Sequence, residues 1–259
     1  MASFDPRALD LTVRAGEVLL RNGAEIFRVQ ETMLRIADAY SVKPFHVYVI
    51  SNGIFCCVDG ADSRRVSEIR HAPLSPVHLG RVAAVNALSR GIAAGRFSLE
   101  AALEEIGRIE RLPFKPVWVQ VIASGIGSAC FGYLFGASLY DSAAAFLAGA
   151  VLQLFLSDLG KRRVSKILQN LLGSSIAALI CILCHLLFPT LRLSNMVIGA
   201  IIPLVPGVPL TTAVRDFFNA DYLSGTIRLI DAVLVASCIA IGVGFMLKLY
   251  SLLPGGVLS

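Results

Sequence analysis

The sequence predicts an α-helical membrane protein with about five transmembrane helices, the fourth broken by prolines, behind an N-terminal cytosolic α+β domain. Three observations predict it. Hydrophobic residues make up 56% of the 259 positions and charged ones only 16%, and mean hydropathy is +0.72, a composition typical of integral membrane proteins. Charge is also unevenly shared: up to Pro116 there are 15 Lys+Arg and 13 Asp+Glu, against 8 and 5 in the longer remainder. A charged domain (1–112) therefore precedes an apolar one (113–259). Finally, the stretch 198–225, IGAIIPLVPGVPLTTAVRDFFNADYLSG, interrupts an apolar run with Pro203, Pro206 and Pro209. Proline lacks an amide proton and clashes with the carbonyl one turn back, so a continuous helix across all three is not expected.

Taking the chain in order, Asp5-Pro6 reads as a cap followed by proline in the first turn, and Asn22-Gly23 as a stop, giving a helix over about 6–21. A second helix is expected over about 24–40, with Ile26, Val29, Met33 and Ile36 on its apolar face. Arginines recur at 7, 14, 21, 28 and 35, and Gly23 breaks the helix midway, so a solvated face is expected. From Phe45, HVYVISNGIFCCVDG reads as two strands joined at Ser51-Asn52-Gly53, since Asn-Gly is a strong hairpin signal. A third strand is expected at about 65–71, then a helix opened by Pro76 and another capped by Ser98.

Pro113 and Pro116 mark the hand-over to five apolar segments at about 117–136, 139–157, 170–188, 195–212 and 226–249. Lys161, Arg162, Arg163 and Lys166 cluster between the second and third segments, which places that loop and the N-terminal domain on the cytoplasmic side and the C-terminus outside. The N-terminus has no apolar core behind a basic start and does not read as a signal peptide. Small residues at Gly132 and Gly136, and at Ala236, Ala240 and Gly244, are expected to let helices approach closely, in a bundle completed by another copy or another chain. The six cysteines read as buried small hydrophobes. Cys181 to His185 spells a haem-attachment motif, but it lies inside a membrane-length run, which argues against haem.

No catalytic constellation, phosphate loop or metal-ligand spacing occurs, so the chain reads as neither an enzyme nor a metal or cofactor binder. No basic cluster interleaves with aromatics, so no nucleic acid is expected. Broken membrane helices are where transporters hold cargo, because the second half-helix begins with partial positive charge. Thr211 and Thr212 are expected to open that half. Arg215, Asp216, Asp221, Arg228 and Asp231 then form a candidate charged vestibule for an anionic or zwitterionic metabolite, with Arg228 and Asp231 spaced to pair on one helix face. A kinked structural helix, or a loop outside the membrane, is the bland alternative for the same prolines.

Three stretches resemble the threonine/serine exporter family: NGAEIFRVQETMLRIADAY (22–40), the strand pair HVYVISNGIFCCV, and PLVPGVPLTTAVRDFFNADYLSGTIRLIDA (203–232). The resemblance covers nearly the whole chain. It is to the larger, N-terminal half of the family's long form, and so to the split-form subunit implicated, with a smaller multi-span partner, in succinate export; long-form relatives export threonine and serine. It implies an exporter subunit in the bacterial inner membrane, in an oligomer embedded in lipid, moving threonine/serine or a dicarboxylate such as succinate. It also implies roles for Gly23, Glu25, Arg28 and Glu31 in the first domain and for Pro203, Pro206, Gly207, Arg215 and Asp216 in the second. Asn52 and Gly53 complete the candidate motif of the first domain, although SNG stands where a threonine-rich TPTG-like sequence is expected. The rival from another class is a membrane-anchored cytosolic enzyme or metabolite sensor.

Overall fold

The computed structural model describes residues 5–59, 65–73, 77–162 and 164–252. Contacts divide the chain into two units: Met1–Phe114 with Thr211–Arg228, and Lys115–Leu210 with Leu229–Ser259. In chain order 211–228 lies between the fourth and fifth apolar segments, yet it packs with the first unit.

In that unit α1 (Pro6–Arg21) begins where the Asp5 side chain accepts from Arg7 N at 2.8 Å. It ends at a Schellman turn: Gly23 N donates to Leu20 O and Ala24 N to Leu19 O, with Gly23 at φ +86°. The left-handed position calls for glycine. The second helix, α2 (Ile26–Ala39), opens at Ile26 rather than Ala24, leaving Glu25 as its N-terminal boundary residue. Strands β1 (Phe45–Ile50), β2 (Gly53–Asp59) and β3 (Arg65–His71) form an antiparallel sheet in that order. Ile50 pairs with Gly53, so the hairpin loop is Ser51-Asn52 and Gly53 already belongs to β2.

Side chains alternate across the sheet as a one-sided core requires. Val49, Ile54, Cys56 and Val58 face inward onto Leu11, Leu19, Met33 and Ile36, all buried. Phe55 lies outside, its ring 6.5 Å from Tyr48. Helices α3 (Leu79–Ala93) and α4 (Leu99–Glu110) complete the layer, and Arg14 on α1 donates twice to Glu110 at 3.1 and 2.7 Å. The α3 start is capped by His78, whose Nδ1 accepts from Arg81 N; Pro76, expected to open this helix, lies outside the described residues.

The second unit contains α5 (Val117–Leu134), α6 (Leu139–Lys161), α7 (Lys166–Leu187) and α8 (Leu193–Ile201), then a 3-10 turn at Ile202–Leu204. Two further helices, α9 (Gly207–Phe218) and α10 (Tyr222–Ser251), are shared between the units. By length and composition α5, α6, α7 and α10 are apolar enough to cross a membrane, and α8 with its turn forms with α9 a pair bent by 62° that counts as a fifth candidate. Glycines bring α5, α6 and α8 together: a Cβ on Gly199 would stand 2.7 Å from Ser128 O, and one on Gly149 would overlap Ser128 Oγ.

Several packing expectations are corrected. Gly136 is not a close-packing position: at φ +90° it follows the end of α5, with open space where a Cβ would stand, and its carbonyl accepts from Asn195 on α8. Ala236, Ala240 and Gly244 point outward, while Ala232, Val235, Ile239 and Gly242 make the packed face of α10. The reason is one of phase, since both stripes recur at helical spacing and only the neighbours decide which is covered. Of the cysteines, only Cys56 and Cys181 are buried and Cys130 is exposed. Cys130 lies on an apolar helix, where exposure does not mean contact with water.

Candidate functional site

The proline stretch begins with a helix that loses its register. Val205 is extended at φ −58°, ψ 127°, the conformation that a following proline favours, so the break coincides with Pro206. Pro203 sits within the 3-10 turn, and Pro209 in the first turn of α9, where its missing amide would have lacked an intrahelical partner anyway. One proline of the three makes the break. Helix α9 therefore starts at Gly207, with Leu210 N donating to Pro206 O at 3.0 Å, and Thr211 and Thr212 stand in its second turn rather than at its opening.

The helix ends at a second Schellman turn. Ala220 N donates to Phe217 O and Asp221 N to Asp216 O, at 3.1 and 2.9 Å, with Ala220 at φ +61°. Asp221 then caps α10 by accepting from Ser224 N at 3.3 Å, so its carboxylate is spent on the backbone. Helices α9 and the start of α10 fold back on each other at Gly225, where a Cβ would meet the Phe217 ring at 2.8 Å and Ala213 O at 3.1 Å.

This hairpin grips the α1–α2 corner. Arg215 Nη1 donates to Glu25 Oε1 at 2.6 Å, and Arg228 Nη2 donates to the carbonyl of the preceding residue, Ala24, at 3.3 Å. Arg28 Nε lies 3.6 Å from the other Glu25 oxygen. Two arginines from one helical hairpin thus converge on consecutive residues beside Gly23, whose positive φ sets the corner. Glu31 is not part of this cluster; it pairs with Arg35 one turn along α2. Asn52 and Gly53 belong to the β-hairpin, where Asn52 O accepts from Ala72 N.

Behind the exposed Arg215 lies a buried pair. Asp216 and Arg228 side chains are 4% and 7% exposed, with Arg228 Nε 3.4 Å from Asp216 Oδ2. The attraction is there, but neither of these two atoms has a hydrogen-bond partner, nor has the buried Ser224 Oγ. Ser224 stands four residues before Arg228, on the same face of α10. Buried polar atoms are nearly always satisfied, and a buried ion pair recovers its desolvation cost only when its hydrogen bonds are complete. Within this one hairpin a donor, an acceptor and a hydroxyl are thus buried without hydrogen bonds.

The remaining vestibule candidate goes elsewhere. Asp231 accepts from Lys166 Nζ at 2.6 Å in the second unit, so the expected Arg228–Asp231 pair is not formed. Sequence reasoning missed Ser224 and the Ala24 carbonyl. The spacing of Ser224 and Arg228 could have found the first; nothing local points to the second.

Residues 10–250 match a family model described as "Putative threonine/serine exporter". A "Probable threonine/serine exporter" of Mycobacterium tuberculosis is 23% identical over 247 residues, covering 93% of this chain and 46% of that protein. A "Threonine/serine exporter" of Corynebacterium glutamicum is 22% identical over 252 residues, covering 95% of this chain and 52% of that protein. The chain spans about half the length of these curated relatives. No solved structure matches it significantly. With a family match over residues 10–250, this multi-pass chain belongs to the threonine/serine exporter family.

Proposed function

We propose that this chain is the domain-bearing subunit of an exporter that moves small hydroxy amino acids out of the bacterial cytoplasm across the inner membrane, with the N-terminal domain on the cytoplasmic side. The observation that carries the reading is the trio of buried atoms without hydrogen bonds, Asp216 Oδ2, Arg228 Nε and Ser224 Oγ, on the α9–α10 hairpin. A zwitterion complements them: its carboxylate goes to the arginines, its ammonium to Asp216, and a side-chain hydroxyl to Ser224. Charge-assisted bonds of this kind are the strong ones. A dicarboxylate such as succinate suits the arginines equally but sets its second carboxylate against Asp216, so it is the less favoured cargo. The same reading includes a smaller multi-span membrane partner that completes the translocation path. Pro203, Pro206 and Gly207 shape the break, and Thr211 and Thr212 follow it on the same helix.

The test is efflux from cells producing the chain with that partner and loaded with threonine-containing dipeptides or with succinate. Threonine and serine efflux is expected to exceed succinate efflux. Asp216→Asn should reduce amino-acid efflux at least about tenfold, the scale of one lost charge-assisted hydrogen bond. Equal loss of both cargoes, or no loss, would overturn the assignment of Asp216 to the ammonium group. Turnover of a metabolite by the protein without its movement across the membrane would favour the anchored-enzyme reading instead.

A further inference from the structure

Among the described residues, Glu25 holds an unusual position. It is the N-terminal boundary residue of α2, yet its side chain makes no capping hydrogen bond to that helix. Instead it reaches a guanidinium 190 residues away in sequence, Arg215 on α9, at 2.6 Å. Its surroundings provide a second place to go, since Arg28 lies 3.6 Å from the same carboxylate. Next to this contact are the unfilled Arg228 donor and Asp216 acceptor. Arg215 is 57% exposed on its side chain and Glu25 21% exposed, so this chain does not itself seal the pair off.

We propose that Glu25 is a tethered competitor: it occupies Arg215 while the site is empty, and the carboxylate of the exported solute displaces it onto Arg28. The idea rests on the reading of Arg215 and Arg228 as the carboxylate contacts. Exchange of one carboxylate for another on the same guanidinium leaves the number of ion pairs unchanged, so it proceeds without a buried charge being stranded. It also makes solute arrival and release of the α2 corner from α9 a single event. Arg228 keeps its own bond to the Ala24 carbonyl, which limits the release to the Arg215 side. A second consequence is selectivity against uncharged analogues: an amide in place of the carboxylate cannot dislodge Glu25.

The magnitude is modest. A partly exposed ion pair is worth a fraction of a kcal/mol to about one, so removing the competitor should tighten carboxylate binding by about two- to fivefold. The experiment measures binding of radiolabelled threonine and of threonine amide to the purified full-length chain, with partner present, for wild type, Glu25→Gln, Arg215→Gln and the charge exchange Glu25→Arg with Arg215→Glu. Thermal unfolding of each variant is recorded alongside. Glu25→Gln is expected to bind threonine two- to fivefold tighter with the amide unaffected, and Arg215→Gln and the exchanged pair to lose binding while remaining folded. Unchanged or weaker threonine binding in folded Glu25→Gln, with binding lost in Arg215→Gln, overturns the competitor and leaves the carboxylate site standing. Unchanged binding in folded Arg215→Gln overturns the site itself. If Glu25→Gln does not fold, Glu25→Asp serves: the shorter arm reaches Arg215 less well, and unaltered affinity in that variant counts against the proposal.

Discussion

Gly23 and Ala220 occupy the same left-handed position after two different helices, and only one of them is the residue that position favours. A non-glycine residue there costs about 1–2 kcal/mol. Gly23→Ala adds that strain and brings a Cβ to 2.9 Å from Val77, so it is expected to destabilise the first unit by about 1–2 kcal/mol or more, read as a lowered unfolding midpoint. Ala220→Gly works in reverse: relief of strain exceeds the added freedom of the unfolded chain, and a gain of about 0.5–1 kcal/mol is expected. At Cys56, burial pushes the thiol up to about 11 from its ordinary 9.0. The unfolded chain loses this proton first as pH rises, so stability is full below pH 9.0 and falls between there and about 11. Cys56→Ala should flatten that part of the stability profile, measured by unfolding at a series of pH values.

Among the elements, α8 is held at its start by a carboxylate on another helix. Asp141, 1% exposed on its side chain, accepts from Arg192 N and from Ser138 N at 2.9 Å each, and faces Arg192 Nε at 3.5 Å. Asp141→Ala leaves both amides without partners and removes a capping box, so a loss of about 2–3 kcal/mol is expected in thermal unfolding, with the α5–α6 turn opening first under proteolysis. The break after the 3-10 turn offers a sharper comparison. Pro206→Ala restores an amide that can close on Ile202 O, so hydrogen exchange at 205 and 207 should slow. Pro209→Ala, in a first turn that tolerates proline, should leave those amides unchanged. Individual elements were largely legible in the sequence because their signals are local: Asp5-Pro6 and Ser98 as caps, Asn22-Gly23 as a stop, alternation in β1 and β2. The break was legible too, but three prolines in a row hid that Pro206 alone sits at it.

At the scale of the whole molecule, the choice of charge partners was not legible. Spacing suggested Arg228 with Asp231, a pair within one helix, whereas Arg228 meets Asp216 and Asp231 meets Lys166. Several partners lie within helical reach of any charge, and packing selects among them. Sequence could place Glu25, Arg215 and Asp216 as candidates through family resemblance, but not join Glu25 to Arg215 across 190 residues. The charged and apolar halves also suggested a domain that is continuous in sequence, while contacts return 211–228 to the first unit. That return has a bearing on biogenesis. Ala24 leaves the ribosome 204 residues before Arg228, the residue that holds its carbonyl, an interval of roughly 10–40 s at ordinary rates of translation. For that time the amino-terminal segment stands with its corner uncovered, and an isolated fragment ending near 112 would stay so permanently, an orphan that never meets its closing piece.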